Sequence, residues 1–546
     1  MRYAFVIDQS RCIGCHACSV ACKAEHEVPL GSYRTWVKYV EKGSFPHVRR
    51  TFSVLRCNHC EDAPCVEICP VTALYRRADG IVDFDRNVCI GCKACLQACP
   101  YDALYIHPDN GTAEKCNFCA HRVEIGLEPP CATVCPTESI LVGDLDDPGS
   151  RVAQLVASRK VAVRKPEKGT RPKVFYIEGE PQALRPGAAD PSGGYLWAEG
   201  PQRRSPTLVA GTRPESVPPP ADAQALAAAA VRGEADFFSG AWAGLSPART
   251  VYDVAHAEHP WGWKVSAYLW TKSVSAGAFM VAALAPWLGL AGSDAIRLGA
   301  PLIGLFFLAL TGLLLVTDLK RPERFLSILT RPNWSSWLAR GAFILAAYGL
   351  LGSAWSGLVV SQIWGGGAAG EELLRWLRWP LVAAALAAAG YSGYLFAQAK
   401  GRDFWQSPLL PLHLAVQAVA AGAASTALLA SLVEGLGGTS TIAASGRLGP
   451  LLAAALSAHL ALVAFGEVTI AHATDDGARA AHAMTRGAIA GWFWSGMTLA
   501  AMALIVVAVA GLAPGWIGAI VALAALASLA TYEHAWNLAG QAVPLS

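Results

Sequence analysis

Hydrophobic and polar positions divide this chain into two unlike halves. Up to about residue 260, charged and apolar residues interleave in short stretches. From 265 to 532, long Ala/Leu/Val/Gly runs follow one another, and charge is confined to short breaks. A bilayer core needs about 20 apolar residues per helix. On that measure the second half predicts about eight spans, at 265–290, 295–317, 338–361, 379–398, 408–433, 449–470, 488–511 and 514–532. None carries the amphipathic stripe that would seat it on a large soluble core. The breaks carry punctuation such as Asp318-Leu-Lys-Arg-Pro-Glu-Arg324 and Asp475-Asp-Gly-Ala-Arg479, and only Ala513-Pro-Gly515 separates the last two runs. Between the halves lie about 100 residues rich in Pro, Gly, Ala and Arg, which read as extended or loop-like. They include Pro218-Pro-Pro220. Phe175, Tyr176, Tyr195, Trp197 and Trp242 argue that this stretch docks onto something, since disordered segments are poor in aromatics.

The overall hydrophobic content of 53% averages over that division, and the net charge of +3 is too small to argue for nucleic acid or an acidic substrate. Cysteine changes the picture more. All 16 cysteines fall between residues 12 and 135, in four quartets. These are Cys12, Cys15, Cys18, Cys22; Cys57, Cys60, Cys65, Cys69; Cys89, Cys92, Cys95, Cys99; and Cys116, Cys119, Cys131, Cys135. An iron–sulfur cube takes four converging thiolates, three from a C-x-x-C-x-x-C run and one from a distant cysteine that precedes proline. Cys69, Cys99 and Cys135 each precede proline. Zinc sites pair two C-x-x-C elements and give no reason for a third cysteine at the same step. A disulfide scaffold is usually short and secreted, and Met1–Asp8 does not read as a signal peptide. Isolated reactive thiols would not come in complete quartets.

In two-cluster ferredoxins the fourth cysteine of each motif ligates the other cluster. Pairing the second quartet with the third predicts Cys57, Cys60, Cys65 with Cys99, and Cys89, Cys92, Cys95 with Cys69. Pairing the first with the fourth predicts Cys12, Cys15, Cys18 with Cys135, and Cys116, Cys119, Cys131 with Cys22, with the second unit inserted within the first. Complete quartets predict four [4Fe–4S] clusters and no [3Fe–4S] centre. The expected fold is thus an α+β double ferredoxin-like iron–sulfur domain (1–150), a linker or docking segment (151–258), and an all-α polytopic membrane domain of about eight helices (259–546).

An ionisable group inside a span is a functional candidate because it is costly unless paired or wet. Lys272 lies about two turns into the first span, and Asp318 ends the second on the same face, so a Lys272–Asp318 pair is expected. The sixth span offers His459 and Glu467, roughly 80° and about 12 Å apart on a regular helix, able to exchange a proton only through water. His413, in the fifth span, stands alone, and His472 follows the sixth. No haem is expected, because too few histidines stand at matching depths. With an even number of spans, both ends of the membrane domain share the cluster face. Lys264, Lys320, Arg321, Arg324, Arg331, Arg340, Lys400, Arg402, Arg479 and Arg486 lie toward it, against Arg297, Arg375, Arg378 and Arg447 opposite. The positive-inside rule then places the clusters in the cytoplasm of a prokaryotic cell, with the periplasmic side as alternative. Arg49-Arg50 and Arg76-Arg77 sit too far inside to be a twin-arginine signal.

Through its cysteine motifs, the first 150 residues resemble the four-cluster electron-transfer subunits of the dimethyl sulfoxide and polysulfide reductase type. Through Trp261-Gly-Trp-Lys264, Asp318-Leu-Lys-Arg-Pro-Glu-Arg324 and Gly540-Gln-Ala-Val-Pro-Leu545, the region from about 250 onward resembles the NrfD/PsrC family of quinone-reactive membrane subunits. The chain reads as a fusion of the two. The resemblance implies a catalytic partner carrying molybdenum or tungsten bis-pterin, a quinone site (menaquinone or ubiquinone) beside the last cluster, and no haem. Within the spans, the residues expected at that site are Lys272, Tyr268, Asp318, Tyr391 and Tyr394, with Glu467 and His459 as a proton route. The rival function is a redox-driven proton- or ion-translocating module. Too few ionisable residues in spans seven and eight speak for it.

Overall fold

The computed structural model describes residues 1–44, 47–191, 248–254, 259–293, 295–365, 367–436, 444–513 and 515–546. Pro218–Pro220, Tyr195, Trp197 and Trp242 lie outside the described residues. The N-terminal part is strand-rich and small, and the C-terminal part is all helical, as the two-sided pattern of the sequence implies.

Strands β1 (Tyr3–Asp8), β2 (Thr35–Ser44) and β3 (His47–Arg56) open the chain, with helix α1 (Ala17–His26) after β1. Two short hairpins follow, β4 (Leu74–Arg76) with β5 (Val82–Phe84), and β6 (Leu104–Ile106) with β7 (Ala113–Lys115). Each hairpin comes shortly after a Cys-Pro turn, at Cys69-Pro70 and Cys99-Pro100. The repeat of short helix, Cys-Pro and hairpin is the inner ferredoxin-like unit. It is inserted between the first and last quartets.

Residues 151–191 continue the cluster domain instead of leaving it. After β8 (Ile140–Asp144) come helix α2 (Arg151–Ser158), β9 (Val161–Ala162) and β10 (Val174–Ile177), in a sheet of order β8-β1-β10-β9. β10 runs parallel to β1, with Phe5 opposite Val174 and Ile7 opposite Tyr176. Tyr176, expected to dock, is buried there and donates to the Val54 carbonyl. A second sheet joins β11 (Asp190–Pro191), β12 (Ala248–Tyr252), β2 and β3. The sheet core thus extends beyond residue 150; the mostly polar stretch 145–173 hides from the sequence that a strand of only four residues, β10, follows it.

Among the described residues the membrane part holds eight long helices: α3 (Trp263–Leu284), α4 (Ala300–Asp318), α5 (Trp337–Ile363), α6 (Ala368–Ala397), α7 (Leu410–Gly435), α8 (Ala444–Val463), α10 (Ala490–Ala510) and α11 (Trp516–Gln541). The amphipathic α9 (Asp475–Thr485) links α8 to α10. A π-helical turn precedes α4, and another, Ala464–Thr469, extends α8. Seven of these helices, with their π turns, are long and apolar enough to cross a bilayer. The eighth, α3, carries Thr271, Lys272, Ser273 and Ser275, all buried, and it packs centrally against α4, α6, α7 and α11. A helix surrounded by other helices can be less apolar than one that faces lipid.

The helices form two four-helix groups, α3–α6 and α7–α8 with α10–α11, joined where α3 crosses α7. At that crossing a Cβ on Gly277 would stand 1.9 Å from the Ala418 carbonyl oxygen, and one on Gly422 would stand 2.1 Å from the Gly277 carbonyl carbon. Two glycines let the backbones touch. This is how helices associate where hydrophobicity gives no drive.

Candidate functional site

Each cysteine motif turns around its centre through residues of positive φ. These are Gly14 and His16, then His59, then Gly91 and Lys93, then Phe118 and Cys119. Alternating helical and left-handed residues turn successive backbone N–H groups to one side, which makes a concavity suited to a negatively charged group. Short helices then present the next thiol: Cys18 and Cys22 on α1, Cys65 on Pro64–Ile68, Cys95 on Ala94–Ala98 and Cys131 on Pro130–Thr133.

The thiols gather across quartets. Cys69, Cys89, Cys92 and Cys95 line one cavity, and Cys12, Cys15, Cys18 and Cys135 line another. Cys57, Cys60, Cys65 and Cys99 are electrostatic neighbours, as are Cys22, Cys116, Cys119 and Cys131. These are the groupings that the spacing suggests. Two of the four-thiol sets thus enclose a cavity, a volume and not a point, which suits a cube better than zinc. Burial pushes the Cys18 thiol up to about 12 and the Cys116 thiol to about 11. Thiols this crowded ionise only with a cationic centre among them, which the iron of a cluster would supply.

The sets also have an order in space. Cys18 neighbours Cys131, Cys116 neighbours Cys57, and Cys65 neighbours Cys95. At one end Cys15 is exposed. At the other end, the membrane domain grips the cysteine loops by their carbonyls. Trp261 donates to Cys92 (3.2 Å), Arg324 to Cys89 (3.0 Å) and Asn333 to Cys69 (2.8 Å). Arg402 reaches Gln97 Oε1 at 2.8 Å, and Gln97 in turn donates to Gln541 at 2.6 Å.

Beside Cys92 opens a cavity of about 120 Å³ lined by Trp261, Tyr268, Asp318, Tyr391 and apolar side chains of α3, α4, α5 and α6. Three of the expected residues meet there. Tyr394 does not: it is half exposed and stacks on Trp337 outside the cavity. The expected Lys272–Asp318 pair is also absent. Asp318 instead pairs with Lys93, from the cysteine loop itself, at 2.9 Å. Lys272 is fully buried and donates to the Ala389 carbonyl at 2.9 Å and to Ser392 Oγ at 2.6 Å. Ser392 is the common neighbour of Lys272, Tyr268 and Tyr391, so Lys272 reaches the cavity through it. No linear motif marks Ser392 or Lys93, because both act across helices or domains.

In the second helix group, His459 is buried and its Nδ1 lies 2.9 Å from His413 Nε2. The two histidines that stand alone in sequence are a pair. Tyr532 packs against both rings and donates to Glu467 Oε1 at 2.5 Å. Glu467, with His413 and His472, lines a further cavity on the cluster-facing side. The π turn at Ala464–Thr469 breaks the regular spacing assumed for His459 and Glu467. The apolar pattern ends span eight at 532, but the helix runs to Gln541 and carries Glu533 and His534. Glu533 is 2% exposed, neither of its oxygens has a hydrogen-bond partner, and it is an electrostatic neighbour of Lys272. The scarcity of ionisable groups expected in that span is thus corrected.

Gathered thiols leading to a cavity among membrane helices define a class: an iron–sulfur protein joined to a multi-pass membrane subunit. Residues 3–24 match a 4Fe-4S binding domain, residues 48–145 a 4Fe-4S dicluster domain, and residues 254–542 the family described as polysulphide reductase, NrfD. This protein belongs to the polysulphide reductase NrfD family, fused to an iron–sulfur subunit. A tetrathionate reductase subunit from Salmonella typhimurium is 43% identical over 204 residues, 36% of this chain and 80% of that protein. A polysulfide reductase subunit from Wolinella succinogenes is 40% identical over 181 residues, 32% of this chain and 94% of that protein. An arsenate respiratory reductase iron–sulfur subunit of a Shewanella species is 36% identical over 225 residues, 32% of this chain and 96% of that protein.

Proposed function

We propose that this chain passes electrons between a separate catalytic subunit and the quinone pool through four [4Fe–4S] clusters. The observation that carries the reading is the cavity that Cys92 shares with Tyr268, Asp318 and Tyr391. When bound, a cluster exchanges single electrons, whereas quinone takes two electrons and two protons. Each four-thiol set would hold one cluster, from Cys12, Cys15, Cys18 and Cys135 at the outer end to Cys69, Cys89, Cys92 and Cys95 at the membrane. The apolar walls of the cavity suit a menaquinone or ubiquinone. Its tyrosines and Asp318 would orient the polar head and hold protons near it, with Lys272 acting through Ser392. The exposed Cys15, with exposed Ile13 beside it, leaves the outer end open to a partner. Relatives named as reductase subunits favour a molybdopterin-bearing catalytic subunit as that partner. The domain limits of this reading are an iron–sulfur domain from residue 1, a connecting segment ending near 258, and a membrane domain from 259 onward.

Substituting Lys272 or Asp318 should abolish quinone-linked turnover and leave chemical reduction of the clusters intact. Full quinone activity in both variants overturns the site assignment.

A second reading, redox-driven proton translocation, draws on the buried His413–His459–Tyr532–Glu467 group, in which His459 Nε2 and Glu467 Oε2 have no partner. Acidification or alkalinisation of vesicles during turnover, beyond the protons of quinone chemistry, decides between the two. Sidedness is open to the same vesicles. Arg321, Arg324, Lys400 and Arg402 bond to the cluster domain, and Arg479 lies against Gly187. Without these five, the basic residues of the cluster face barely outnumber those opposite, and the cytoplasmic and periplasmic placements stand level. Protease access in spheroplasts against inverted vesicles separates them.

A further inference from the structure

Arg56 ends β3, one residue before Cys57, yet its side chain turns away toward other thiols. It is 1% exposed. Its Nη1 donates to Cys131 Sγ at 3.2 Å, and its guanidinium lies 4.3 Å from the centre of the Phe5 ring. Nε and Nη2 are buried with no hydrogen-bond partner. Among the described residues no carboxylate pairs with it, and the strongest electrostatic partners are the cysteines Cys131, Cys116 and Cys18. Cys18 belongs to the outermost four-thiol set, and Cys131 and Cys116 belong to the next. Lys115, another buried cation nearby, offers a contrast: its Nζ donates to the carbonyls of Val82 and Cys116.

A buried guanidinium with two orphaned nitrogens and no carboxylate is costly unless a negative group sits where the protein atoms end. The thiol sets around it would supply that group, since a cube with four thiolates carries net negative charge, and reduction adds one more unit. We propose that Arg56 is a potential-setting residue, placed between the two outer clusters so that its fixed positive charge and N–H donors favour their reduced forms. The inference rests on the cluster reading above. One electron enters the cluster and no proton moves, because guanidinium keeps its proton across the accessible pH range. Hydrogen bonds and charge near the sulfurs are among the factors that set cluster potential.

The test is a redox titration followed by electron paramagnetic resonance on the full-length membrane protein, comparing wild type, Arg56→Gln and Arg56→Lys. Spin quantitation and iron content come first: fewer than four clusters in the wild type defeats the cluster reading itself. With four present, Arg56→Gln should lower the reduction equilibrium constant of at least one cluster by tenfold or more, about 59 mV for a one-electron couple. The shift should be the same across the neutral pH range, and Arg56→Lys, which keeps the charge, should restore most of it. Potentials unchanged in Arg56→Gln overturn the inference. If Arg56→Gln fails to assemble, Arg56→Lys decides alone: its lost guanidinium donors should leave a smaller shift of the same sign, and an unmoved potential overturns the inference.

Discussion

Lys93 and Asp318 are 225 residues apart in sequence and 2.9 Å apart in space, joining a cysteine loop to the end of a membrane helix. Lys93 has the left-handed backbone conformation that the loop needs between Cys92 and Cys95 (φ 63°), so one residue serves the cysteine loop and the membrane junction together. Asp318→Asn should lower quinone-linked turnover by about 10²-fold or more, the usual weight of a positioned proton-handling group. A double-mutant cycle with Lys93→Met should return a coupling of about 0.5–3 kcal/mol in thermal stability. Additive stability effects would mean that the pair does not hold the junction.

Glu533 is a carboxylate buried with neither oxygen hydrogen-bonded, and the Lys272 ammonium acts on it electrostatically. Removing one of two buried opposite charges strands the other, whereas removing both can be nearly neutral, even where the two do not touch. Lys272→Met should therefore destabilise the protein more than the double variant Lys272→Met/Glu533→Gln, as measured by unfolding in detergent. Glu533→Gln alone should slow quinone turnover while the cluster spectra remain those of the wild type. Unaltered turnover would remove Glu533 from any proton path.

Glu114 ties the cluster domain together from inside. Its side chain is 1% exposed, with Arg34 at 2.8 Å, Arg86 at 2.7 Å and the Tyr105 hydroxyl at 3.0 Å. Burial alone would raise the carboxyl, but hydrogen bonds and charge from Arg34 and Arg86 hold it below the ordinary range. A folded-state value below the unfolded one contributes stability above the unfolded value, and that stability is lost as pH falls through the folded one. Acid unfolding of the cluster domain should thus set in below the usual glutamate range. Glu114→Gln should cost about 3–5 kcal/mol near neutral pH by leaving Arg34 buried and uncompensated. Matching acid-unfolding curves for the variant and the wild type would contradict this.

Gly277 and Gly312 offer a paired test of the helix crossing. A methyl group at Gly277 meets the Ala418 carbonyl at 1.9 Å, while one at Gly312 meets nothing within 4 Å. Gly277→Ala should cost about 1–3 kcal/mol or more through forced separation of α3 and α7. Gly312→Ala should stay within about 0.5 kcal/mol of wild type. Similar thermal stability for both variants would show that α3 and α7 do not touch there.

Much of the architecture was legible in the sequence, for reasons that differ by region. Cysteine spacing is a chemical constraint, so the thiols that gather in space are those that the motifs group. Apolar runs report helix count well and helix ends poorly. Placing the end of the last span at 532 hid Glu533 and His534, although both lie inside the helix. The Lys272–Asp318 expectation failed because a pattern along one chain cannot say which of two nearby cations a carboxylate selects, and Lys93 arrives from another domain. The His413–His459 pair was illegible for the same reason: the rings come from two different helices, 46 residues apart in sequence. Tyr391 and Tyr394 were indistinguishable by residue type. Their positions on α6 put one in the cavity and the other against Trp337.

The π turn at Ala464–Thr469 behaves as one residue too many in an α-helix. Deleting a single residue from it would let α8 continue in regular register and swing everything beyond the deletion by about 100°. Glu467 would then leave Tyr532 while keeping its identity and its depth. The contact between those two side chains is thus held by the length of a six-residue segment as much as by which residues occupy it.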